Sequence, residues 1–102
     1  ALDEFPDGIC CQTDMMAIPL VLRLDRYGHR TPRDYSIIGF DDVYPAASMC
    51  PSLTTIRQPF NLIARQCIDL ILEAREGKVE QNYFILPTQL VERESCTSPA
   101  LP

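Results

Sequence analysis

Two stretches of this sequence set carboxylates directly after an apolar run. Residues 35–44 read YSIIGFDDVY, which leaves Asp41 and Asp42 at the end of one run; residues 8–14 read GICCQTD, which leaves Gln12, Thr13 and Asp14 at the end of another. An ionised carboxylate only accepts hydrogen bonds and can take two hydroxyl donors at once. Asp41, held at a strand end, therefore suits a sugar or another polyhydroxylated ligand. If the two runs are neighbouring strands, the Thr13 hydroxyl converges on the same crevice, where open parallel sheets bind their ligands. The competing reading is that Asp41 and Asp42 cap the turn or short helix that follows, and for Asp42 the capping reading is preferred.

Other chemistry finds little support. The single histidine, His29, lies in a GHRTP loop beside arginines and reads as a solvated loop residue rather than a catalytic base. Neither a nucleophile elbow nor a phosphate-cradling glycine loop is present, and the chain has only four glycines. The five cysteines (Cys10, Cys11, Cys50, Cys67 and Cys96) have no Cys-x-x-Cys spacing and no histidine at zinc-ligand distance. They read as reduced cysteines behaving as small hydrophobes, which suits a cytoplasmic protein. No enzyme activity, metal or cofactor is expected.

The elements that must position these residues follow from periodicity and turn chemistry. Residues 8–11 have strand length. Thr13 can then cap a helix running to about Tyr27, with Asp14 favourable at its positive end and Gly28 stopping it. Residues 36–40 form a second buried strand, apolar at consecutive positions as parallel strands tend to be. Strand, helix, strand in this span is a βαβ unit, so the fold class is α/β, a parallel sheet with flanking helices. Residues 43–49 form a short segment, and residues 53–57 a strand whose Thr54 and Thr55 reflect β propensity. Pro59 fits the first position of a helix, in which Phe60, Ile63, Ala64, Cys67, Ile68 and Ile71 make an amphipathic stripe ended by Gly77. Residues 83–86 and 89–92 read as two short strands separated by Pro87.

The first helix carries two apolar faces. Met16, Ala17, Leu20, Val21, Leu24 and Tyr27 form a stripe that docks it on its own sheet, while Met15, Ile18 and Leu22 form a second patch suited to a partner. Pro19 removes the hydrogen bond to the Met15 carbonyl and is expected to kink the first turns.

With 102 residues the chain suffices for one small domain. A net charge of −5 and nine scattered Lys and Arg offer no basic stripe for a nucleic-acid backbone. No apolar run is long enough for a membrane span, and the first residues lack the pattern of a signal peptide.

Three ordered motifs carry a resemblance: PDGICCQTDMMA at 6–17, GHRTPRDYSIIGFDD at 28–42 and PSLTTIRQP at 51–59, followed by LPTQLVERES at 86–95. They resemble the lactose and galactose repressor family over nearly the whole chain. That likeness implies a partial type I periplasmic-binding-protein-like fold. Residues 1–57 would be the βαβ portion of the C-terminal effector subdomain, 58–82 a crossover helix packing on the N-terminal subdomain, and 83–102 the return strands and tail. It implies a small-molecule effector, such as a sugar or nucleoside, a homodimer, and operator DNA bound only through an N-terminal module absent from this sequence. Asp41 matches the family's effector-contacting aspartate. Thr13 stands where sugar-binding members often carry asparagine, and a hydroxyl offers one donor where the amide offers two. Gln58 and Phe60 match positions near the effector cleft. Ile18 and Leu22, with Met15 beside them, match the dimerisation face, and Ala46 and Met49 fall in the segment that joins it. Pro19 replaces a small residue and is expected to displace the helix start. A periplasmic sugar-binding protein of the same fold is the alternative function, and a phosphoacceptor signalling domain is disfavoured because the sole lysine, Lys78, follows a helix stop rather than a strand.

Overall fold

The structure, a computed structural model, describes residues 4–78 and 83–98. The first three residues, 79–82 of the crossover segment and 99–102 of the tail lie outside the described residues. The elements are β1 (Gly8–Cys10), α1 (Asp14–Arg26), β2 (Ser36–Ile38), α2 (Tyr44–Ser48), β3 (Thr55–Arg57), α3 (Phe60–Arg75) and β4 (Gln89–Val91). They fall into two compact units, one of Ala1–Arg57 with Leu90–Pro102, the other of Gln58–Gln89.

In the first unit β1 and β2 pair in parallel, with Gly8 opposite Ser36, Ile9 opposite Ile37 and Cys10 opposite Ile38. An isolated parallel bridge between Ile38 and Thr54 carries the sheet across to β3, which pairs with β4. Beyond the regular part of β2 the backbone still holds to its neighbour: Gly39 N–H donates to the Thr54 carbonyl at 3.0 Å and Asp41 N–H to that of Ile56 at 2.9 Å. On the same edge of β2, Ile37 N–H donates to the Ser95 carbonyl, and the buried Ser95 hydroxyl donates to the Ile37 carbonyl at 2.7 Å.

The core consists of Ala17 and Val21 from α1, Tyr35 and Ile37 around β2, Ala46 from α2 and Leu53. Ile18, Leu20, Leu24, Val43 and Met49 pack around it half-buried. The stripe expected on α1 is thus narrower than its hydrophobicity suggests, since Met16 is 55% and Tyr27 69% exposed. Pro19 does not displace the start: α1 begins at Asp14, where the Thr13 carbonyl accepts from both Met16 and Ala17 N–H at 3.1 Å. Gly28, with φ +85°, ends the helix.

In the second unit Pro59 is the N-cap of α3 rather than its first helical residue. No residue of α3 is fully buried. Ile63, Cys67 and Leu70 line a cavity of about 350 Å³ together with Tyr83, Phe84 and Leu86. The remainder of the expected stripe is exposed: Ala64, and Phe60, Ile68 and Ile71, each of these three by more than half. Residues 83–86 do not form the expected strand. Their aromatic and branched composition satisfies the strand pattern, but Tyr83, Phe84 and Leu86 line the cavity beside α3 and Ile85 is 89% exposed.

Candidate functional site

The site grows from the carboxyl ends of β1 and β2. The N–H of Asp14 donates to the carbonyl of Phe40 at 2.9 Å. Thr13 precedes one partner of that bond and Asp41 follows the other, so these two of the four expected effector-binding residues flank a single backbone hydrogen bond between adjacent strand ends. Thr13 occupies the N-cap position of α1 with extended backbone, yet its side chain makes no capping hydrogen bond. A threonine there ordinarily gives its oxygen to the helix; this one is half-buried at the strand end with that capacity unused.

Asp41 has φ +108° and Asp42 φ +56°. Aspartate tolerates the left-handed region better than most residues, but such conformations still cost on the order of 1–3 kcal/mol each. They persist where the surroundings fix them, and binding sites are where they cluster.

Asp42 departs from its expected role. Rather than capping α2, its carboxylate accepts from Arg57 Nε at 2.7 Å on one oxygen and from Arg93 Nη2 at 2.7 Å on the other. Its side chain is 12% exposed, that of Arg93 14%. Burial pushes the Asp42 carboxyl up, but hydrogen bonds from Arg57 and Arg93 outweigh it and hold the group below its ordinary value. A depressed folded value means the carboxylate adds stability above the unfolded pKa, near 4, and loses it as pH falls further. Urea unfolding from pH 7 to pH 2.5 should therefore show stability dropping below about pH 4. Asp42→Asn should be weaker at pH 7 by about 2 kcal/mol, converging with the native protein in acid. A variant with an unchanged pH profile would remove this ion cluster from the acid response.

Asp14 also proves to be more than a favourable charge at a helix start. It is fully buried, its Oδ1 accepting from the Thr55 hydroxyl at 2.6 Å and its Oδ2 from the Val43 N–H at 2.9 Å. One carboxylate thereby ties the starts of α1 and α2 to β3. Thr54 is likewise engaged, its Oγ1 accepting from the Arg93 N–H at 2.9 Å. Thr54 and Thr55 thus hold the turn in place, beyond the strand propensity first read in them. Two hydroxyls in a strand expected to be buried require partners, and that was the signal available in the sequence; Arg57 and Arg93 carried none.

The remaining expected residues are placed as follows. Gln58 and Phe60 belong to the second unit, Gln58 half-buried on its cavity and Phe60 55% exposed at the start of α3. Met15 and Leu22 are 68% and 61% exposed on α1, and Ile18 is half-buried. Met49 is half-buried against the core. Ala46 is a correction: it is fully buried inside the first unit and has no side-chain surface to offer a partner. His29 is half-buried, its ring stacked on Phe5 at 4.1 Å with an interplanar angle of 4°. Among the described residues no group of three or more His, Cys, Asp or Glu could hold a metal ion, and no helix is long and apolar enough to cross a membrane.

Residues 1–96 match the periplasmic binding protein-like domain family. Over 96 residues the chain is 34% identical to the HTH-type transcriptional repressor PurR of Vibrio cholerae serotype O1 (strain M66-2), covering 93% of this chain and 29% of that protein. The chain belongs to the periplasmic binding protein-like domain family, in its lactose and galactose repressor branch. Its fold is similar to the crystal structure of the lac repressor dimer bound to operator and the anti-inducer ONPF, with a TM-score of 0.85, 29% identity, and 91% of this chain covering 32% of that one. It is also similar to the periplasmic binding protein/LacI transcriptional regulator from Alkaliphilus metalliredigens QYMF complexed with D-xylulofuranose, with a TM-score of 0.82, 33% identity, and 90% of this chain covering 35% of that one. The α/β arrangement is accordingly a partial type I periplasmic-binding-protein-like fold. The chain spans about 29% of the length of the PurR relative.

Proposed function

We propose that this chain is the effector-binding and dimerisation portion of a transcriptional repressor, and that Thr13 and Asp41 hold a small polyhydroxylated effector such as a sugar or nucleoside. One observation carries the reading: the Asp14–Phe40 backbone bond flanked by Thr13, with its cap unused, and Asp41, with its strained backbone. The carboxylate takes two ligand hydroxyls and the threonine hydroxyl supplies a donor or an acceptor. Gln58 and Phe60 are proposed as further effector-binding residues. Operator DNA is bound by a module that this sequence does not contain. The effector acts by binding one conformation of the whole regulator more tightly, and its influence on operator affinity cannot exceed that difference.

The exposed apolar side of α3, with Phe60, Ile68 and Ile71, is the face proposed to pack on the N-terminal subdomain of the longer protein, residues 58–82 forming the crossover. Met15, Ile18, Leu22 and Met49 are the proposed homodimer contacts, with Ala46 supporting them from the core. The protein is read as cytoplasmic, with no catalytic activity.

Calorimetric titration of the full-length protein with D-ribose, D-xylulose, D-galactose and adenosine tests the effector class. Binding of at least one, in the micromolar to millimolar range and with weakened or strengthened operator binding, supports it; operator affinity indifferent to every ligand that binds contradicts it. For the interface, Leu22→Asp should convert the dimer to monomer in analytical ultracentrifugation, because a buried unpaired charge costs several kcal/mol. A dimer mass unchanged at micromolar concentration would exclude this face.

A further inference from the structure

The turn that presents Asp41 is held from behind by a group that the effector reading does not use. Asp41 and Asp42 are consecutive residues with φ of +108° and +56°, and such a run persists only when its surroundings over-determine it. Backbone bonds supply part of the constraint: Asp41 N–H to the Ile56 carbonyl at 2.9 Å, and Asp42 N–H to the Thr55 hydroxyl at 3.4 Å. A further part comes from the Asp42 carboxylate, both of whose oxygens are taken by arginines.

Of these, Arg93 is the better placed. Its guanidinium is clamped at two points, Nη1 donating to the Leu53 carbonyl at 3.0 Å and Nη2 to Asp42 at 2.7 Å, and its own N–H donates to Thr54 Oγ1. It therefore spans from the residues before β3 to the turn, with little side-chain exposure. Arg57, half exposed, adds a second bond of the same length but is more open to solvent and salt. With both guanidiniums removed, the turn at Asp41 and Asp42 can relax away from its two positive φ values, and the Asp41 carboxylate moves with it.

We propose that Arg93, supported by Arg57, is a positioning residue for effector binding, fixing the Asp41 carboxylate through its grip on Asp42. The proposal rests on the effector reading of Asp41. Arginine is required because its planar fork reaches a carbonyl and a carboxylate at once, which a lysine ammonium on a flexible stem does less well. Neither arginine touches the ligand; the effect is transmitted through one turn.

The test uses the full-length protein with Arg93→Met, Arg93→Lys and Asp41→Asn, the four compounds named above as probes, and residue-resolved amide exchange. Arg93→Met should weaken binding of the best native ligand about tenfold or more. It should lower protection of the Asp41 amide at least tenfold while the Ile37 amide, bonded to Ser95, stays within twofold. Arg93→Lys should fall between Met and native, and serves if Arg93→Met fails to fold. Native affinity in both Arg93 variants, with Asp41→Asn binding weakened, overturns the positioning role and leaves the effector reading standing. Native affinity in Asp41→Asn defeats the effector reading itself. Unchanged Asp41 protection in the Arg93 variants overturns the proposal whatever the ligand.

Discussion

Gly39→Ala is expected to lower the unfolding temperature of the full-length protein by roughly 5 °C, an effect of about 3 kcal/mol. A Cβ at this position would collide with the carboxylate of Asp14 and lie 3.1 Å from the Asp14 Cα. Neither can yield cheaply. The Asp14 backbone is fixed by its bond to Phe40, and its carboxylate by Thr55 and Val43. The methyl group must therefore break a buried, fully used hydrogen-bonded group or push α1 off the sheet. Asp14→Ala should cost a similar amount by leaving the Thr55 hydroxyl and the Val43 N–H without their acceptor. Combining the two should cost clearly less than the sum, because the collision partner is gone. Thermal or urea unfolding of the three variants measures this, and costs that add to within about 0.5 kcal/mol would show that Gly39 and Asp14 do not share one packing constraint.

The second large effect concerns binding. Asp41→Ala should weaken the effector by about 10- to 100-fold, the loss of one or two charge-assisted hydrogen bonds at roughly 1.5–3 kcal/mol in total. The oligomeric state should be unaffected, since Asp41 is not among the proposed interface residues. Asp41→Asn should retain part of the affinity, for the amide still accepts one bond but has lost its charge. Thr13→Asn is the informative companion. It supplies a second donor where sugar-binding relatives often have one, and should shift preference among sugars rather than abolish binding. In operator-binding assays, Asp41→Ala should leave the protein deaf to effector at concentrations that switch the native form. An Asp41→Ala protein with native effector affinity in calorimetry would remove this residue from the site.

What the sequence made legible follows the range of the interactions. The strand at 36–40, the helix opening at Asp14 and the stop at Gly28 are set by local periodicity and turn chemistry, and they emerge within a residue or two of the expected limits. The adjacency of the two polar strand ends was also legible, because parallel βαβ topology makes consecutive strands neighbours when no strand lies between them. Asp42 was not. Its partners Arg57 and Arg93 are 15 and 51 residues away, and nothing local distinguishes an aspartate that caps from one that clamps. Asp14 failed for the same reason, its acceptor role depending on Val43 and Thr55 at separations of 29 and 41. Residues 83–86 failed differently: composition reports that side chains will be apolar, not whether the backbone finds a ladder partner. On α1, hydrophobicity overstated the docking stripe, since Met16 and Tyr27 are apolar in type yet more than half exposed.

The most direct measurement is a crystal structure of the full-length protein with the tightest-binding of the sugars or nucleosides tried. One ligand molecule, hydrogen-bonded at 2.6–3.0 Å both to an Asp41 carboxylate oxygen and to the Thr13 hydroxyl, is the result predicted. A ligand seated elsewhere, with both of these side chains facing only water or protein, would contradict the account.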